Sequence, residues 1–125
     1  MFSKKKNNEL KAIRGAITCE QNSIASIEIA VKELLNELLK SNQLKPDQIL
    51  SITFSVTKDI DVCFPASIAR KQMGLEKVAL LDCQQMFVEN DLRNCIRILA
   101  YAWLPSNKEP NHPYLRIASK LRPDR

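Results

Sequence analysis

The stretch RNCIRILAYAW, residues Arg93 to Trp103, decides how the fold is assigned. From Cys95 onward it is apolar and rich in branched and aromatic side chains, which is typical of a β-strand. Successive side chains of a strand point to opposite faces, so Arg97 shares one face with Cys95 and Leu99. A cation on such a face needs an anion, and the sequence shows no obvious internal one. We therefore expect a strand whose arginine meets an anion from outside, unless Arg97 lies at a sheet edge and reaches water.

Working outward, the stretch NSIASIEIAVKELLNELLKSNQ (22–43) changes from alternation to helical spacing. Its apolar side chains recur every three or four residues, which predicts one long helix with Asn22 or Ser23 as its cap. The apolar stripe of this helix comprises Ile24, Ile27, Val31, Leu34 or Leu35, and Leu38. The stretch FPASIARKQMG (64–74) predicts a shorter helix, with Pro65 at its first position and Gly74 as its stop.

Four other stretches predict strands: KAIRGAITCE (11–20), ILSITFSVT (49–57), KVALLD (77–82) and YLRIASKLR (114–122). Gly15 is a candidate bulge in the first, and Leu50, Ile52, Phe54 and Val56 share a face in the second. The predicted fold class is α+β, a mixed five-stranded sheet packed on one long helix. One long helix cannot cover both sheet faces, so we expect a second copy of the chain to cover the other.

Composition limits the classes of function. The 125 residues predict one domain over residues 11–125, after a basic and disordered N-terminus at residues 1–10. The net charge of +5 comes from dispersed cations, which favours a small anionic ligand over nucleic acid. No apolar run approaches the ~20 residues of a membrane span, and no secretory signal is evident. Four cysteines and one histidine lack zinc-site spacing, which predicts no metal site, reduced thiols and a cytoplasmic location, with a plastid stroma as the alternative.

The strongest functional indication is a resemblance. The stretches IRGAITCE, FPASIAR, QQMFV, CIRIL, HPYL and LRPD follow one another as they do in the AroH-type chorismate mutases, and the similarity covers residues 12–124. This resemblance implies an isomerase that converts chorismate to prephenate by a Claisen rearrangement, in phenylalanine and tyrosine biosynthesis. It also implies no cofactor, and a pseudo-α/β-barrel homotrimer with active sites between subunits.

The resemblance further implies roles for individual residues. Arg14 would bind a substrate carboxylate, Arg97 would face the ether oxygen of the breaking bond, and Tyr114 would hydrogen-bond a carboxylate. Arg14, Gln85 and Arg97 are the predicted catalytic residues. In the remaining predicted substrate-binding set, the neighbouring subunit would contribute a wall of Phe64, Ala66 and Arg70, and Ser67 would lie at the pocket mouth. The others are Leu81 and Asp82 on a pocket strand, and Leu121 and Arg122 in a closing tail. From the residues alone, Tyr114 fits a half-buried core position, Phe64 a hydrophobic staple and Gln85 a loop cap.

Three positions depart from the family pattern: Ser67 replaces a Lys, Asp82 a Cys, and Gln85 a Glu beside the substrate hydroxyl. Asp82 and Gln85 could compensate for each other by keeping the number of hydrogen bonds to that hydroxyl. Drift toward weaker catalysis is the other interpretation. The alternative function is a non-catalytic trimeric binder of an anionic metabolite, and a purely structural trimer is a third hypothesis.

Overall fold

A computed structural model describes residues 7–122, in which five strands form one mixed sheet. The strands are β1 (Asn8–Thr18), β2 (Ile49–Val56), β3 (Ala79–Gln84), β4 (Cys95–Pro105) and β5 (Tyr114–Leu115). Their order is β3-β2-β4-β1-β5, with β4 antiparallel to both β1 and β2 and with the two outer pairs parallel. The predicted mixed five-stranded sheet is therefore confirmed.

Helix α1 (Ile24–Ser41) lies on one face of this sheet. Ser23 caps the helix, because its hydroxyl accepts a hydrogen bond from the Ser26 amide at 3.1 Å. The predicted apolar stripe is buried from Ile27 to Leu38, but Ile24 in the first turn is 60% exposed. Helical spacing gives the direction of a side chain and not the extent of the surface that covers it.

The second helix, α2 (Pro65–Arg70), begins at the proline that the sequence predicts. It ends four residues before Gly74, which has a φ of 85° in the turn that follows the helix. Two 3₁₀ helices complete the fold, at Pro46–Gln48 and Arg116–Leu121. No helix in the described range is long and apolar enough to cross a membrane.

Two predictions about strand interiors are wrong. Leu50 is 51% exposed, because a register shift between Ile49 and Ser51 turns it away from the core face of Ile52. Gly15 is not a bulge, since β1 pairs with β4 without interruption. The glycine is required for a different reason: a Cβ at position 15 would lie 2.7 Å from the carbonyl oxygen of Pro113.

The chain termini also differ from the prediction. Strand β1 begins at Asn8, three residues before the predicted start and inside the segment 1–10 predicted to be disordered. Residues 1–6 of that segment lie outside the described residues. The predicted strand 114–122 is wrong beyond Leu115, because Arg116 adopts a left-handed φ of 57° and a 3₁₀ helix follows. The Arg116 side chain holds this turn through an ion pair of 2.7 Å to Glu33 on α1. Residues 123–124 of the LRPD stretch lie outside the described range.

The sheet has two different faces. One packs against α1 through a core that includes Ile13, Ile52 and Phe54, all fully buried. The other, here called the open face, carries alternate residues of β1 and β4 such as Arg14, Arg97 and Tyr101. Ala118 and its neighbours in the C-terminal 3₁₀ helix cover one end of the open face. Apolar side chains elsewhere on this face are exposed: Leu10 by 42%, Leu81 by 62% and Tyr101 by 38%.

Candidate active site

Arg97 lies on the open face, opposite Ser55 of β2 and Ala16 of β1. Its Nη2 atom is 3.2 Å from Oδ2 of Asp91 and 3.4 Å from Oδ1. The two side chains are 35% and 24% exposed, so the ion pair is partly shielded from water. The expectation that Arg97 has no internal anion is therefore wrong. Asp91 lies only six residues earlier, but no sequence pattern indicates that the intervening loop returns it to the strand.

Gln85 joins this ion pair from the end of β3. Its backbone amide donates to the Val56 carbonyl at 2.8 Å, and its Nε2 donates to Oδ2 of Asp91, also at 2.8 Å. Within residues 7–122, Gln85 Oε1 and Arg97 Nε are buried and have no hydrogen-bond partner. A buried polar atom without a partner typically costs about 1–3 kcal/mol, so these two atoms mark a place where a polar ligand would be favourable.

Arg14 lies on β1, the strand next to Arg97, and Tyr114 lies on β5, on the other side of β1. Arg14 is on the open face opposite Leu99, and Tyr114 of β5 pairs with Ala16, itself the partner of Arg97. The Arg14 amide donates to Nδ1 of His112 at 2.9 Å, which ties the β5 segment to β1. This bond requires His112 Nδ1 to be an acceptor and therefore unprotonated.

The C-terminal residues lie at the same end of the sheet. The Arg122 guanidinium carbon is 6.0 Å from the centre of the Tyr114 ring, and Leu121 packs on the small cluster around Ala16 and Cys95. The structure thus brings together six of the predicted site residues: Arg14, Gln85, Arg97, Tyr114, Leu121 and Arg122. We call these six residues the arginine group.

Other predicted site residues form a separate group around α2, at the opposite edge of the sheet. Oδ1 of Asp82 accepts a hydrogen bond from the Ala66 amide at 3.0 Å. Asp82 pairs with the buried Phe54, so it lies on the face opposite Arg97. Burial raises the pKa of Asp82, although the Ala66 bond and the charge of Arg70 oppose this shift. Within one chain, Asp82 therefore does not join Gln85 at a shared hydroxyl.

The rest of this second group is more exposed. Phe64 is 69% exposed, and its carbonyl accepts a hydrogen bond from the Ser67 hydroxyl at 2.7 Å. A groove of about 360 Å³ lies between Phe64 and Asp82. Leu81 is on the open face of the edge strand β3. We call Phe64, Ala66, Ser67, Arg70, Leu81 and Asp82 the α2 group.

The cysteines offer no evident nucleophile at the arginine group. All four are free thiols, and Cys95 is the one nearest Arg97 along the strand. Burial raises the pKa of Cys95 to about 11 despite the nearby Arg97 guanidinium, so its thiol stays protonated at neutral pH. Among residues 7–122, no three His, Cys, Asp or Glu side chains are grouped so that they could hold a metal ion. The arginine group is suited to binding an anion and to stabilising developing negative charge.

Known proteins resemble the chain over most of its length. The family model for chorismate mutase type I matches residues 10–125. A chorismate mutase AroH from Thermus thermophilus is 37% identical over 118 residues, which cover 92% of this chain and 95% of the relative. The AroH protein of Bacillus subtilis is 31% identical over 116 residues, covering 92% and 91%. A chorismate mutase structure from Clostridium thermocellum superposes with a TM-score of 0.81 at 37% identity, covering 88% of this chain and 98% of that one.

Proposed function

The chain belongs to the chorismate mutase type I family, and on this basis we propose that its reaction takes place between subunits of a homotrimer, with Arg97 at the ether oxygen. The protein is an isomerase that converts chorismate to prephenate in the synthesis of aromatic amino acids. The observation that carries the proposed mechanism is that Arg97 Nε and Gln85 Oε1, on two side chains that both bond Asp91, are buried and unpartnered among the described residues.

Substrate binding is assigned to the other cations of the arginine group. Chorismate is a dianion whose reactive conformer is in the minority. Arg14, together with Tyr114 and Arg122, would bind its carboxylates at positions fixed by the sheet. Holding both ends of the substrate restricts it to the reactive conformer and lowers the entropic part of the barrier. This role needs neither a proton transfer nor a cofactor.

Arg97 would act on the bond that breaks. As the carbon–oxygen bond lengthens, negative charge accumulates on the ether oxygen. A guanidinium held in position stabilises this charge more in the transition state than in the ground state, which raises kcat. The Asp91 contact supports this assignment, because it occupies Nη2 and fixes the guanidinium from one end.

The separation of the two groups supports a shared site. The arginine group lies around β4, β1 and the C-terminus, with Gln85 reaching it from the end of β3, whereas the α2 group lies at α2 and within β3. In a trimer, the α2 group of one subunit would complete the arginine group of the next, and the apolar open face would be buried. Phe64, a large apolar side chain that is 69% exposed, would be stabilised by such burial.

Mixed trimers test this arrangement. We expect Arg97→Ala and Arg70→Ala homotrimers each to lose most activity. A coexpressed equal mixture should regain up to about one quarter of wild-type activity, the share of interfaces that combine two intact groups. Coexpression of Arg97→Ala with Arg14→Ala is the matched control, because both residues belong to one group and no interface becomes intact. Equal recovery in both mixtures, or a monomeric mass by light scattering, would refute the shared site.

Catalysis itself is measured as the loss of chorismate absorbance by purified protein without added cofactor. A non-catalytic binder would instead bind a bicyclic dicarboxylate mimic of the transition state without turning chorismate over. Two bacterial chorismate mutases as relatives favour turnover. They also fit the proposed cytoplasmic location and lend no support to a plastid stroma.

A further inference from the structure

Asp91 is the one charged side chain that contacts both Arg97 and Gln85 within the described residues, and neither the resemblance nor the reaction assigns it a role. The loop that carries Asp91 also binds its carboxylate, because the Leu92 amide donates a hydrogen bond to Asp91 Oδ1 at 2.8 Å. The Asp91 amide in turn donates to the Val88 carbonyl at 3.1 Å. The loop therefore presents this carboxylate in a fixed position.

The bond to Asp91 determines which way the Gln85 amide is turned. A carboxylate is only an acceptor, so the atom of Gln85 at 2.8 Å from Oδ2 must be the NH₂ group. The carbonyl oxygen Oε1 then faces away from Asp91, and it is buried without a partner among residues 7–122. Asp91 thus converts an amide, which could donate or accept, into a directed acceptor.

The same carboxylate orients Arg97. Both contacts are made by one nitrogen, Nη2, and the buried Nε has no partner in the described part of the chain. Binding at one end of a planar, rigid guanidinium fixes the direction of the donors at the other end. One acidic side chain therefore leaves a directed acceptor on Gln85 and a directed donor on Arg97.

We propose that Asp91 is a positioning residue for the chorismate rearrangement: it fixes Gln85 Oε1 to accept from the substrate hydroxyl and fixes Arg97 Nε to donate to the ether oxygen. The inference rests on the proposed roles of Gln85 and Arg97. It also explains why an amide can stand at position 85, because Asp91 supplies the negative charge beside Arg97 while the amide supplies the acceptor. Asp82, bonded to the Ala66 amide, is not needed for this compensation.

A charge exchange between positions 85 and 91 tests the proposal. Asp91→Asn removes the group that discriminates between the two ends of the Gln85 amide, so kcat should fall at least about tenfold while KM changes less than about threefold. Gln85→Glu alone places two carboxylates at hydrogen-bond distance, and a similar loss is expected from their repulsion. In the double variant, the new carboxylate at position 85 can accept from the new amide at position 91, and kcat should recover to within about threefold of wild type.

Control variants distinguish a failure of the role proposed for Asp91 from a failure of the roles proposed for Gln85 and Arg97. Asp47→Asn, an exposed charge change before β2, should retain wild-type kinetics, and thermal unfolding checks that every variant is folded. Arg97→Lys is assayed in parallel: near-normal kcat there would remove the proposed role of Arg97 itself. Suppose that Arg97→Lys is impaired, as expected. The role of Asp91 alone is then refuted by either of two results: Asp91→Asn keeps its kcat, or the double variant has a kcat no higher than those of the single variants. A faster Asp91→Asn enzyme would refute it too, because Asp91 would then be an anion that competes with substrate.

Discussion

Replacement of Arg97 with citrulline, its neutral isostere, tests the electrostatic part of the mechanism most directly. The substitution keeps the shape of the side chain and one nitrogen-bound hydrogen-bond donor for Asp91, while it removes the positive charge. Citrulline also keeps the Nε–H that is proposed to face the ether oxygen, so the expected loss comes from the charge alone. One positioned donor at a developing oxyanion typically contributes about 2.7–4 kcal/mol, and a charged donor binds more strongly than a neutral one, so kcat should fall by up to roughly 10²–10³. Because carboxylate binding is proposed for Arg14 and Tyr114, which the substitution leaves unchanged, KM should change less than about threefold.

The same substitution should affect stability much less. The pair of Arg97 and Asp91 is 35% and 24% exposed, and ion pairs near the surface typically contribute only about 0.2–1 kcal/mol. Loss of kcat without loss of folding would therefore locate the effect in the transition state.

The assay is the decrease in chorismate absorbance over a range of substrate concentrations, with urea unfolding of the same samples. Citrulline at Arg93, an exposed residue four positions earlier, is the matched control and should retain activity. If the variant kept kcat within about fivefold of wild type, or if the entire loss lay in KM, Arg97 would be a binding residue only.

Four further predictions concern the framework of the site. Asp82→Ala removes the acceptor for the Ala66 amide and should cost about 1 kcal/mol of unfolding free energy in urea. Burial raises the pKa of Asp82, so its protonation stabilises the folded protein. This stability is fully present below the usual pKa of 3.8 and is lost as pH rises through the folded-state pKa. Asp82→Asn should abolish this pH dependence in thermal melts recorded from below 3.8 to neutral pH. Gly15→Ala places a Cβ 2.7 Å from the Pro113 carbonyl oxygen and should destabilise the protein by about 1–3 kcal/mol, with a raised KM for chorismate; unchanged unfolding would contradict the close approach. The Asn42 side chain is 1% exposed; it donates to the Asn111 carbonyl at 2.9 Å and accepts from the Asn111 amide at 2.7 Å. Asn42→Leu removes both bonds and should lower the free energy of unfolding in urea by about 2–4 kcal/mol. An unchanged free energy of unfolding would show that this link is dispensable.

Local periodicity was sufficient for most of the fold. The alternation in β4 and the helical spacing of α1 separate buried from exposed side chains within each element, because side-chain direction repeats along a strand or a helix. The same periodicity fails at Leu50 and beyond Leu115, where a register shift and a left-handed residue interrupt the repeat. Both interruptions depend on segments that are distant in sequence, β4 at Leu50 and α1 at Arg116, and the local pattern does not contain these contacts.

For the site, the sequence by itself determined the arginine-bearing strand, the excess of dispersed cations and the family motifs that mark Arg14 and Arg97. Only the tertiary structure decided that Asp91 contacts Arg97, and that Asp82 lies on the opposite sheet face against the Ala66 amide. The physical reason is the difference between direction and partner. The strand repeat sets the direction of a side chain, whereas its partner depends on the path of loops that return from elsewhere in the chain, and that path is determined by long-range packing.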